Sequence, residues 1–111
     1  MQNVALLGFG TVGASVARIL DERISDVNLT SILVRAGKEH VDPRAMSDFD
    51  ALLSDPALDT VVECMGGLSP AYEYIKAALA AKKNVVTSNK AVVSAHFEKF
   101  MTLAAEAGVN F

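Results

Sequence analysis

VALLGFGTVG, residues 4–13, decides how the chain is read. The apolar run from Val4 to Leu7 is too short for a helix and has no polar alternation, so it reads as a strand buried on both faces, begun at residue 2 or 3. At Gly8-Phe9-Gly10 the run stops. From Thr11 the spacing is helical: Val12, Val16, Ile19 and Leu20 share one side and Arg18, Glu22 and Arg23 another, which predicts a helix over 11–23. Gly8-Phe9-Gly10-Thr11-Val12-Gly13 therefore sets a G-x-G-x-x-G spacing between a buried strand and a helix. In that context the first glycine makes the tight turn, the second lets backbone approach a pyrophosphate, and the third lets helix pack on strand, while helix-terminal amides face the anion. A plain glycine-rich turn has the same spacing; the flanking strand and helix favour a dinucleotide.

The alternation continues outward from this unit. Leu29–Val34 reads as a second strand, closed by the basic turn Arg35-Ala36-Gly37-Lys38. Residues 39–47 give no clear pattern beyond a short strand near Ala45-Met46. Asp48 can cap a short helix carrying Phe49, Leu52 and Leu53, which Pro56 stops. Asp59–Met65 is a strand closed by Gly66-Gly67, and Ser69-Pro70 is a helix start, for a helix running from Pro70 to about Lys82 with Lys82 and Lys83 at its negative end. Asn84–Thr87 is a strand. A last helix is expected from a Ser94 cap to Ala107, ended by Gly108, with Val109-Asn110-Phe111 opening another strand. Strands alternating with helices give an α/β, Rossmann-like fold, a mainly parallel sheet with helices on both faces. Ligands of such sheets lie beyond the carboxyl ends of the strands, where strand order reverses.

Composition narrows the function. The 111 residues suit one domain with one core. A formal charge of −3, with no stripe of lysines or arginines, argues against nucleic acid as a partner. The single cysteine, Cys64, excludes an internal disulfide, no basic leader precedes the first strand, and no apolar run approaches the roughly 18–20 residues of a membrane span. A soluble cytoplasmic protein with no membrane partner is the expectation.

The cofactor is read further along. An acid at the end of the second strand would hold the ribose hydroxyls of NAD; this chain has Arg35 and then Lys38, cations suited to the 2′-phosphate of NADP. Two solvated loop cations are the plainer alternative, and use of both cofactors stays open. At the mouth of the fourth long strand, Thr87-Ser88-Asn89-Lys90 places a lysine on the ligand side of the sheet. Beside a nicotinamide such a lysine could hold a substrate carboxylate or oxyanion, or accept an alcohol proton; a surface loop lysine fits the spacing equally.

Taken together, VALLGFGTVG (4–13), VVECMGGLSPAYEYIKAAL (61–79) and VVTSNKAVVS (85–94) resemble the cofactor-binding domain of homoserine dehydrogenase over essentially the whole chain. The glycine loop is generic, whereas the double glycine before Pro-Ala and the T-[AS]-N-K-A signature are specific together. The resemblance implies that Gly8, Phe9, Gly10, Thr11, Val12 and Gly13 bind pyrophosphate and that Arg35 meets the adenosine phosphate. Gly66, Gly67, Ser88 and Asn89 would lie along the nicotinamide, and Lys90 would transfer the proton at the substrate hydroxyl. The implied reaction is hydride transfer between nicotinamide C4 and the terminal carbon of homoserine or aspartate semialdehyde, toward threonine and methionine.

Members of that family continue into a domain with substrate contacts, a second lysine and most of a dimer interface. The 111 residues are thus expected to bind the dinucleotide without turning over homoserine. The small amino-acid substrate would require the further domain, and self-association through the surface it would cover is a further expectation. A free-standing nucleotide-binding module without catalysis, or a small dehydrogenase for another amino acid such as aspartate, are the other readings. Cys64 reads as packing, Glu63 as structural with a supporting role open, and His40 and His96 as isolated side chains outside any metal set. Tyr72, Tyr74, Phe97 and Phe100 read as packing or interface residues.

Overall fold

In the computed structural model, which describes residues 1–111, β1 (Gln2–Leu7) lies at the middle of a five-stranded sheet. β2 (Val27–Leu33) and the two-residue β3 (Ala45–Met46) extend it on one side, β4 (Thr60–Glu63) and β5 (Asn84–Thr87) on the other. The order is β3-β2-β1-β4-β5 and every pairing is parallel. Strand order therefore reverses at β1. The crossover α1 (Thr11–Arg23) lies on one face, and α2 (Phe49–Leu53), α3 (Ala71–Ala80) and α4 (Lys90–Ala107) on the other.

β1 shows why this arrangement needs an unbroken apolar run. Val4 and Leu6 pack with Ala17 of α1, Leu29 and Ile32, whereas Ala5 and Leu7 join Ile75, Leu79, Val92 and Phe100 beneath α3 and α4. A strand wedged between two helix layers has no face left for water. β2 begins at Val27, two residues before its apolar run, because Val27 and Asn28 pair with Gln2 and Asn3. The register then slips at Thr30, whose hydroxyl donates to the Val4 carbonyl at 3.3 Å. On the far side of β2, the Arg44 guanidinium is bidentate to Asp21 of α1 at 2.9 and 3.0 Å and grips Asp42 at the same two distances, tying the approach to β3 to α1.

Other expected boundaries move, each for a local reason. β4 ends at Glu63 rather than Met65, because the Glu63 carboxylate accepts the Met65 N–H at 2.7 Å and turns the chain over the strand end. α3 spans Ala71–Ala80, and Ser69 does not cap it: the Ser69 hydroxyl bonds the Glu73 carboxylate at 3.0 Å instead. Lys82 lies past the helix in the left-handed region (φ 64°), where its N–H donates to Leu79 and that of Lys83 to Ala78. This is a Schellman closure built without glycine. The Lys83 ammonium donates to the carbonyls of Asp55 and Leu58, not to the end of α3.

α4 starts at Lys90, a turn before the expected Ser94, because Asn89 is the cap: its side-chain oxygen accepts the Val92 N–H at 3.2 Å. Ser94 lies inside the helix just before a kink at His96 (φ −134°, ψ 24°). Gly108, left-handed at φ 72°, closes α4 as expected. Residues 109–111 form no ladder, but the Val85 N–H donates to the Asn110 carbonyl, so they run beside β5. No helix is long and apolar enough to cross a membrane.

Candidate functional site

The loops leaving β1, β2 and β4 converge on the carboxyl edge of the sheet around a cleft of about 790 Å³. Gly8, Phe9 and Gly10 line it from the end of β1, Arg35 and Lys38 from the end of β2, and Met65, Gly66 and Ser69 from the end of β4. This is the point where the strand order reverses, and it is where the first crossover and the β4–α3 connection leave in opposite directions.

The glycines of the first turn do separate jobs. Gly8 has φ +98°, where a side chain is strained, and a Cβ there would crowd the Cys64 carbonyl oxygen at 3.2 Å, so the turn favours a residue without one. Gly13 is buried under Gly8, where a Cβ would come within 2.8 Å of the Gly8 carbonyl carbon. Around Gly10 nothing lies within 4 Å of a would-be Cβ, which leaves bare backbone facing the cleft. Thr11 and Val12 open α1 and are exposed, outside the cleft lining.

At the β2 end, Arg35 and Lys38 are both exposed, joined by a turn in which the Lys38 N–H donates to the Arg35 carbonyl at 3.0 Å. Sequence reasoning passed over Glu39, which braces this turn. Its carboxylate accepts the Gly37 N–H at 2.8 Å and the Ser47 hydroxyl at 2.7 Å, and the Ser47 bond, foremost, holds its carboxyl below the usual glutamate range. Ser47 itself lines the cleft. Pattern could not find this pair, because the two lie eight positions apart across a stretch without periodicity.

The other predicted residues lie on the β4 and β5 loops. Gly66 and Gly67 have φ +77° and +72°, and only Gly66 reaches the cleft lining. Ser88, Asn89 and Lys90 lie across β4 from the glycine turn, beyond that cleft; Asn89 is buried, Ser88 and Lys90 are exposed. The Asn89 amide donates to the Gly67 carbonyl at 2.5 Å, so the two loops are joined. Cys64 also lines the cleft, although it read as packing. Burial pushes its thiol above the usual range, partly offset by a hydrogen bond with Ser88, which makes it a poor nucleophile at neutral pH. Tyr74 stacks on Phe49 at 3.9 Å and also lines the cleft, the His96 ring lies tilted against Tyr72 with centroids 4.0 Å apart, and Phe97, expected to pack or to sit at an interface, is 53% exposed.

Comparison with known proteins agrees with this geometry. The family described as homoserine dehydrogenase, NAD binding domain, matches residues 8–111. The chain is 38% identical to the homoserine dehydrogenase of Synechocystis sp., over 96% of its own length and 27% of that protein's. It is 39% identical to that of Corynebacterium glutamicum, over 96% and 27%. Among solved structures, Thiobacillus denitrificans homoserine dehydrogenase superposes with a TM-score of 0.88 at 29% identity, covering 97% of this chain and 28% of that one. The Staphylococcus aureus enzyme at pH 6.5 gives 0.85 at 35% identity, covering 98% and 31%. The chain thus spans about a quarter of the length of the relatives it matches, and it belongs to the family of homoserine dehydrogenase NAD-binding domains.

Proposed function

We propose that residues 1–111 bind a nicotinamide dinucleotide, NADP in preference to NAD, and supply the cofactor half of a homoserine dehydrogenase. The observation that carries this reading is that the glycine turn and the two cations share one cleft at the strand-order reversal. The residues suit the cofactor. A cleft of about 790 Å³ is of small-molecule size, and Gly10 offers unshielded backbone where a pyrophosphate would approach. Glu39, next to Lys38 in the chain, is bonded to Gly37 and Ser47 and does not line the cleft.

Gly8 to Gly13, with Phe9, Thr11 and Val12, would hold the pyrophosphate at the start of α1, and Arg35 with Lys38 the 2′-phosphate. Gly66, Gly67, Ser88 and Asn89 would border the nicotinamide. When bound, the cofactor supplies reversible hydride exchange at nicotinamide C4 with the carbon that is an alcohol in homoserine and an aldehyde in aspartate semialdehyde. Lys90, the first residue of α4, would take the proton from the substrate hydroxyl during oxidation and return one to the aldehyde oxygen during reduction. The protein would then act toward threonine and methionine.

Parallel calorimetric titrations with NADPH and NADH, repeated on Arg35→Ala, test the reading. NADPH is expected to bind more tightly, and the variant to lose roughly tenfold in NADPH affinity with NADH little changed. Binding of neither dinucleotide overturns the cofactor assignment; equal binding of both overturns the NADP preference alone.

A further inference from the structure

Glu63 is fully buried at the end of β4, and no lysine, arginine or histidine pairs with it. Acids are almost never buried so completely without a partner. Its partners are two neutral donors, one for each oxygen: the Met65 N–H at 2.7 Å and the Thr87 hydroxyl at 2.5 Å.

The second bond has directional consequences. A hydroxyl has one proton, and that of Thr87 goes to Glu63, so its oxygen is free to accept the Asn89 N–H at 3.0 Å. The Asn89 side chain is likewise committed at both ends, its amide donating to Gly67 and its oxygen accepting from Val92. The Ser88 N–H donates to the Glu63 backbone carbonyl at 3.3 Å. A single chain of hydrogen bonds therefore runs from Glu63 through Thr87 and Asn89 to the Gly67 carbonyl, crossing from β4 to β5 and back. Gly66 and Gly67 have no side chains and nothing packs where their Cβ atoms would be, so packing cannot hold that loop.

We propose that Glu63 is a positioning residue that sets the nicotinamide half of the cofactor seat, by locking the Gly66–Gly67 loop to the Asn89–Lys90 turn through Thr87. The proposal rests on the dinucleotide reading above. It also accounts for a carboxylate at this place. Only a side chain that accepts at both ends satisfies the Met65 N–H and the Thr87 hydroxyl together. A glutamine that kept the Met65 bond would present an N–H to Thr87 and reverse its hydroxyl, removing the anchor that fixes its direction.

The test is selectivity between the two ends of the ligand. Wild type, Glu63→Gln, Thr87→Val and Thr87→Ser are titrated with NADPH and with 2′-phospho-ADP-ribose, which lacks only the nicotinamide, and circular dichroism establishes that each variant is folded. Glu63→Gln and Thr87→Val are expected to lose about tenfold in NADPH affinity while 2′-phospho-ADP-ribose changes less than about twofold, and Thr87→Ser, which keeps the hydroxyl, to retain wild-type affinity for both. Equal weakening of both ligands in the folded variants, or unchanged NADPH affinity, overturns the positioning role. If wild type binds neither ligand, the dinucleotide reading fails and the role falls with it.

Discussion

Gly13 lies directly beneath Gly8, so close that a side chain on Gly13 would collide with the Gly8 carbonyl. Backbone cannot give way as a flexible side chain can, and the collision falls on the turn that links the central strand to α1. Gly13→Ala is expected to destabilise the fold by about 1–3 kcal/mol, read as a lower urea midpoint, and to weaken dinucleotide binding by displacing the turn.

Gly10 predicts the opposite pattern. A methyl group there meets open space and the backbone is extended at φ −77°. Gly10→Ala should leave stability within about 0.5 kcal/mol of wild type yet raise the dinucleotide Kd roughly tenfold or more by standing in the pyrophosphate's path. Denaturation and titration on the same two variants would separate the folding glycine from the binding one.

Lys82 holds a left-handed conformation that a Cβ disfavours. Lys82→Gly relieves that strain and keeps both closing bonds of α3, at the expense of added freedom in the unfolded chain. The net stabilisation expected is about 0.5–1 kcal/mol, measured as a higher Tm. A lower Tm would mean that the lysine side chain stabilises the helix end.

Arg44 makes part of the stability pH-dependent. Its hydrogen bonds are the main reason that the Asp21 and Asp42 carboxyls lie below the usual aspartate range. Because both are lowered by folding, their contribution is complete above the unfolded pKa of about 4 and is lost as pH falls through their folded values. Arg44→Ala should therefore cost about 1 kcal/mol at pH 7, a modest figure for a partly solvent-screened network, and in acid unfolding experiments the gap between variant and wild type should begin to narrow below about pH 4 and close once pH falls beneath the folded values.

The sequence was most legible where one residue type has one physical use. The uniform run Val4–Leu7 could only be a strand covered on both faces, and the three glycines after it marked the turn, so α1 fell on its expected residues. Boundaries set by side chains bonding across the chain were not legible. Asn89 and Ser94 are equally good caps by composition, and Asn89 is set apart by its bonds to the Gly67 carbonyl, 22 residues away, and to the Thr87 hydroxyl oxygen. Glu63 ends β4 for a similar reason, through bonds to Met65 and to Thr87. Ser69 failed as a cap because Glu73 captured its hydroxyl. The brace between Glu39 and Ser47 crosses a stretch with no periodicity at all.

The sheet order also distributes resistance to opening. Ala5, Leu6 and Leu7 are bonded on both sides and have no exposed surface, so their amide hydrogens are expected to exchange only when the whole domain unfolds. β3 is held by just two residue pairs at the edge, and the amides of Ile32 and Val34, which donate to the carbonyls of Arg44 and Met46, should exchange by local fraying. The glycine turn thus hangs from the most protected strand, while the loop bearing Arg35 and Lys38 adjoins the least protected one. A bound dinucleotide would rest one end on a fixed anvil and the other on a hinge, and amide exchange with NADPH present should slow chiefly at the hinge.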